Sequence, residues 1–135
     1  MLILSNLKHK KVLKQYFSDC FLPVKDDLGN VPVKMQSSKV ITASIIGVCR
    51  GYADSRISQE SDFEMIVDAV FEDIFRRESV KVQILTESWL KNNDEEFMKF
   101  YYLAKSKAEV SDNLNWLQEI TLEYFKPEKT IIFPL

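Results

Sequence analysis

Apolar residues recur every three to four positions along most of this chain, which is the period of an amphipathic helix. The spacing predicts a first helix from about Ser5 to Cys20, with the Ser5 hydroxyl as N-cap. Val12, Leu13, Tyr16, Phe17 and Cys20 form its inner stripe, and Lys8, Lys10, Lys11 and Lys14 occupy much of the remainder. A second helix is expected to start at Ser37 or Ser38 and to end near Asp54. Val40, Ile41, Ile45, Ile46, Val48, Cys49 and Tyr52 leave it little polar surface, the mark of a central, buried helix. Gly47 and Gly51 lie four apart and open one face of it to close approach by a neighbour. The third helix has the clearest pattern: Phe63, Ile66, Val67, Val70, Phe71 and Ile74 follow the i, i+3, i+4 rule. Ser61 and Glu64 have the spacing of a reciprocal capping box. Arg76 and Arg77 fall near its C-terminus, where the helix dipole favours positive charge.

The remaining segments are shorter. Asp26-Asp27-Leu28-Gly29-Asn30 is turn chemistry, and Val24 with Val31, Val33 and Met35 would make a short hairpin near residues 24–35. Pro32 would confine its second strand to an edge. Val80 to Leu90 fits both periods, and the continuation through Leu85, Trp89 and Leu90 favours a helix. Asn92-Asn93-Asp94 breaks the pattern and caps the next helix, with Phe97, Phe100, Tyr101, Ala104 and Ala108 inward. A last helix is expected from Ser111, carrying Leu114, Leu117, Thr121 and Phe125 on one face, and Pro127 stops it. Thr130-Ile131-Ile132-Phe133 is β-prone and is expected to pack on the body beside Leu2-Ile3-Leu4. The expected architecture is therefore mainly α. It is a single domain over residues 1–135, a bundle of about five helices with a short hairpin and a β-prone C-terminal tail.

Composition agrees with this picture. At 135 residues with 46% apolar side chains, the chain can bury a core without disulfides or metals. Two cysteines, Cys20 and Cys49, are too few for a disulfide framework. Lysines follow the apolar Met1–Leu4 rather than preceding it, the reverse of a secretory signal. The apolar run from Val40 to Cys49 is half a membrane span. These features imply a cytoplasmic protein with reduced thiols and no membrane span. The net charge of −2 conceals an asymmetry. Residues 1–50 hold eight Lys/Arg against three Asp/Glu, and residues 51–100 hold six against twelve.

Candidate chemistry is sparse. His9 is the one histidine, set among lysines, and reads as an exposed bystander. One histidine and two separated cysteines do not make a zinc site, and no glycine-rich phosphate loop is present. No catalytic, cofactor or metal residues are assigned, and Cys20 and Cys49 read as small core residues. Glu64, Asp68, Glu72 and Asp73 on the third helix are the candidate partner-binding residues: an acidic face suited to a basic protein. Glu72 with Arg76 and Asp73 with Arg77 have favourable i, i+4 spacing. Asp54, Glu60 and Asp62 support the alternative, a small carboxylate-based cation- or ligand-binding helical domain or enzyme.

Ala53-Asp54-Ser55-Arg56-Ile57-Ser58-Gln59-Glu60 resembles the Ala-Asp-Gly-x-Val-Ser-x-Glu turn between helices in the tellurite-resistance TerB-like family. The resemblance implies a helical fold with acidic, metal-associated sites. It covers eight residues, Ser55 stands where that family has glycine, and the acid-rich segments have no second copy. Lys8, Lys10, Lys11 and Lys14 form a basic patch, but a pI of 5.5 argues against nucleic-acid binding. The leading expectation is a non-enzymatic protein-interaction module of adaptor, chaperone-like or immunity type. Trp89, Trp116, Phe100, Tyr101 and Tyr102 are available as anchors or as core. A homo-oligomer built on the second helix or the tail is a third reading.

Overall fold

The helical periods fold as helices. The computed structural model describes residues 2–125, with side chains from Asn6 onward, as six α-helices and no strand. They are α1 (Leu2–Phe21), α2 (Lys39–Ala53), α3 (Glu60–Phe75), α4 (Ser79–Lys91), α5 (Glu95–Val110) and α6 (Asn115–Tyr124). Residues 79–91 are thus helical, as the continuation through Trp89 and Leu90 predicts.

Helix α2 is the axis of the bundle because every residue in it except Lys39 and Arg50 is buried. The Ser38 hydroxyl caps it, accepting from the Ile41 N–H at 3.1 Å. Its two buried hydroxyls are satisfied within the helix: Thr42 Oγ1 donates to the Ser38 carbonyl and Ser44 Oγ to the Val40 carbonyl, each at 2.7 Å. Bonding back one turn removes the cost of burying them. A helix buried this completely in the monomer has no face left for a symmetric dimer. An oligomer built on the second helix would have to displace this packing.

The closest partner of α2 is α5. A Cβ placed on Gly47 would lie 2.5 Å from the Tyr101 carbonyl oxygen and 2.9 Å from the Ala104 Cβ. One turn on, a Cβ on Gly51 would collide with the Lys105 carbonyl oxygen and lie 2.9 Å from the Ala108 Cβ. Two glycines on one helix therefore meet two alanines on the other, and backbone approaches backbone. Beside this seam, Ala43, Ile46 and Phe97 form a small core of their own, flanked by Trp89, Leu90, Phe100 and Tyr101. Trp89, Phe100 and Tyr101, three of the five aromatics available as anchors, pack against this small core.

The main core lies on the other side of α2. Leu13, Phe17 and Phe21 of α1 are fully buried, with the two phenylalanine rings stacked 5.9 Å apart. They meet Ile66, Val70 and Phe71 of α3 and Leu117 of α6. Asn6 ties the two long helices, donating from Nδ2 to Asp62 Oδ1 at 2.9 Å. Helix α4 lies against α3 and buries Val82 and Thr86.

Several local expectations are corrected. Helix α1 starts at Leu2, so Ser5 lies inside it rather than at its cap. Helix α3 starts one residue before Ser61: the Gln59 carbonyl accepts the first helical bonds, from Asp62 and Phe63, and no side chain caps it. The Arg50–Glu60 pair already draws Glu60 into the first turn. The Ser61–Glu64 capping box is therefore not made. The turn at residues 26–30 forms, with Asp26 Oδ1 accepting the Leu28 and Asn30 N–H groups and Gly29 at φ 79°. The hairpin around it does not form. Leu22–Val24 and Val33–Ser37 are short 3-10 turns, the first with Pro at its start and the second following Pro32. Proline fixes φ and supplies no N–H, so neither flank can pair. Val24, Val31 and Met35 instead bury one by one in the core. Helix α6 starts at Asn115, four residues after Ser111. The β-prone tail and Pro127 lie outside the described residues.

The α2–α5 seam yields the first prediction. Gly47→Ala must push two helix backbones apart, so urea denaturation should show a loss of about 3 kcal/mol or more. Ser38→Ala, which removes only a cap, should cost about 1 kcal/mol. Equal effects of the two changes would contradict the close approach.

Candidate functional site

Arg50 is one of the two residues of α2 that escape burial, and it marks the site. Its guanidinium lies 3.6 Å above the Phe63 ring and grips Glu60 with two bonds, Nη2 to Oε1 at 2.7 Å and Nη1 to Oε2 at 3.2 Å. Each partner favours the charged form of the other, raising the Arg50 pKa and lowering that of Glu60. This forked pair closes one end of a groove of about 410 Å³ that runs between α3 and α4. Ile46, Phe63, Val67, Leu90 and Tyr101 supply its apolar lining. Glu60, Glu64, Asp68 and Glu87 supply four carboxylates, and Gln83 donates from Nε2 to Asp68 Oδ1. Arg50 is the single cation among the lining residues, and Glu60 already engages it.

The four candidate residues of α3 do not form one face. Glu64 and Asp68 line the groove, while Glu72 is exposed outside it. Asp73 lies on the opposite side of the helix: nine residues from Glu64 is about half a turn at 100° per residue. There it lines a second cleft, of about 500 Å³, with Leu7, Lys10, Lys11 and Lys14 of α1. Neither Glu72 with Arg76 nor Asp73 with Arg77 forms an ion pair among the described residues. Arg76 leaves the helix at φ 53° and donates to the Leu28 carbonyl instead, at 3.0 Å.

Sequence spacing missed Arg50 and Glu87 as site residues; Glu60 was expected for cation chemistry and Tyr101 as one of five available aromatics, and the structure brings both to this groove. Gln83 and Glu87 share one face of α4, four apart, so an antiparallel α3–α4 pairing would have put them opposite Asp68 and Glu64. No such signal existed for Arg50, which reaches the groove only through the geometry of the α2–α3 turn. The carboxylates proposed for cation chemistry go to separate partners. Asp54 pairs with Lys105 at 3.5 Å, Glu60 with Arg50, and Asp62 with Asn6. Among the described residues no group of three or more His, Cys, Asp or Glu side chains is placed to hold a metal ion.

His9 is not a bystander. Its Nδ1 lies 2.7 Å from the Tyr52 hydroxyl, with the rings edge to face, and so links α1 to α2. Arg56 stacks 4.2 Å from the same tyrosine ring and donates to the Tyr52 carbonyl. Burial first, then the charges of Lys8 and Arg56, hold the His9 pKa below that of a free imidazole. The direction of the His9–Tyr52 hydrogen bond is set by the imidazole tautomer. Cys20 and Cys49 are buried, and burial pushes each thiol up to about 12, so they serve as small core residues.

No family model, curated protein or solved structure matches this chain. The eight-residue likeness at Ala53–Glu60 therefore stands alone. Ser55 is not among the residues at positive φ, so the turn here has no need of the glycine found in that family. No helix among the described residues is long and apolar enough to cross a membrane.

The lowered His9 pKa has a sign that can be measured. A depressed pKa favours the neutral folded form, so this stability is present above the unfolded value of about 6.5 and is lost as pH falls through the folded value. Denaturant midpoints should fall between pH 7 and pH 5, and His9→Gln should flatten that fall. An unchanged slope in the variant would show that His9 is not responsible.

Proposed function

We propose that this chain is a non-enzymatic protein-interaction module. Its α3–α4 groove docks a basic, amphipathic helical segment of a partner. One observation carries the reading: an apolar-lined groove is edged by four carboxylates, and its single cation is already engaged by one of them. That leaves Glu64, Asp68 and Glu87 without an ion pair among the described residues. An occupant of complementary chemistry has apolar side chains for Leu90 and Tyr101, the half-buried part of the apolar lining, and lysine or arginine for the carboxylates.

The spacing also selects the occupant. Glu60, Glu64 and Asp68 step along α3 by four residues, about 6 Å per step. A partner helix with cations at i, i+4 offers the same step. Because these carboxylates are exposed, their attraction mainly speeds and orients encounter, and the apolar lining holds the complex. Tyr101 is the side chain best suited to anchor it, being half-buried at the groove.

A fluorescent helical peptide with lysine and leucine at i, i+3, i+4 and i+7 tests this by anisotropy. Glu64→Lys with Asp68→Lys should weaken its binding at least about tenfold, and Glu72→Lys, outside the groove, should leave it nearly unchanged. Equal losses from both changes would reduce the effect to bulk charge. No binding to the wild-type chain would overturn the reading.

A further inference from the structure

The chain carries a surface with the chemistry that its own groove demands. Leu7, Lys10, Lys11 and Lys14 follow i, i+3, i+4, i+7 and therefore share one face of α1. Leu7 is 55% exposed, and among the described residues none of the three lysines is in an ion pair. Lys10 and Lys14 are four residues apart, the same step of about 6 Å that separates Glu64 from Asp68. The two surfaces cannot meet within one molecule. Helix α3 stands between them, with Asp73 turned toward α1 and Glu64 turned toward α4.

We infer that the occupant of the groove is the α1 stripe of a second copy of this chain. The inference rests on the groove reading above and names its partner. Lys10 and Lys14 of one copy sit against Glu64 and Asp68 of the next, and Leu7 covers part of the apolar lining. The contact is head to tail: each copy uses its stripe on one neighbour and its groove on another. Such a contact does not close after two copies unless the rotation happens to complete a ring. One helical stripe on one groove is a small interface, so the association is weak, rises with concentration and is screened by salt.

Sedimentation of the full chain tests this. The average mass should rise with concentration in about 0.05 M salt, and the association should weaken about tenfold or more in about 0.5 M. Two variants then separate the surfaces. Lys10→Gln, Lys11→Gln and Lys14→Gln together remove the stripe; Glu64→Gln, Asp68→Asn and Glu87→Gln together remove the groove charges. All six positions are on the protein surface, and circular dichroism should show both variants folded. Each variant alone should remain monomeric. Their equimolar mixture should form a species capped at two copies, because only one complementary pair of surfaces survives. A wild-type chain that stays monomeric at low salt overturns the inference, as does a groove variant that still associates like wild type. Binding of the lysine–leucine peptide to a chain that stays monomeric would remove the second copy as partner while leaving the groove reading intact. Loss of both would remove both.

Discussion

The close approach of α2 and α5 is the constraint on which the other arrangements depend. Gly47 and Gly51 have no Cβ, so the carbonyls of Tyr101 and Lys105 come to rest against bare helix backbone. That contact fixes the height and rotation of α5 on α2. It thereby places Tyr101 at the groove and Phe97 beneath Trp89. Lys39 and Asp94 reinforce it at one end: Asp94 accepts from Lys39 Nζ at 2.7 Å and also caps α5 through the Phe97 N–H. The Lys39 bond and the Phe97 N–H hold the Asp94 pKa below the usual carboxylate range.

Helix α2 also links the core to the surface. Thirteen of its fifteen residues are inside, which leaves Lys39 to pair with Asp94 at its start and Arg50 to emerge near its end. Arg50 fixes Glu60 and lies over Phe63, so the start of α3 is set by a side chain anchored in the core. The acid-rimmed groove is therefore positioned by helices rather than by a loop, as the docking role proposed for it requires. Helix α3 then separates two fields of opposite sign, one side facing the lysines of α1 and the other lined by carboxylates.

Much of the fold was legible because burial imposes a period on the residues. The all-apolar second helix, the Phe63–Ile74 stripe and the Gly47/Gly51 pair each pointed to the packing observed. The caps of the second and fifth helices were legible to within Ser37–Ser38 and Asn92–Asp94, and the structure uses Ser38 and Asp94. Ser5 and Ser61 do not cap, because a serine of suitable spacing caps only if the chain turns into the helix at that residue. Alternating valines suggested a hairpin at 24–35, where Pro23 and Pro32 prevented pairing. The acidic face was half legible. Helical spacing grouped Glu64, Asp68 and Glu72, but Asp73 belongs to the opposite side, and Glu87 and Arg50 arrive from other helices. His9 was misjudged for the same reason: its partner, Tyr52, lies 43 residues away.

Native-state hydrogen exchange tests the central role of the glycine–alanine seam most directly. If the seam holds the bundle together, amides of α2 and those of Tyr101–Ala108 in α5 should be the slowest to exchange and should share one opening free energy, equal to that of global unfolding. Exchange of the α5 amides through a much cheaper local opening, with α2 still protected, would show that α5 is an accessory and that the core is held elsewhere.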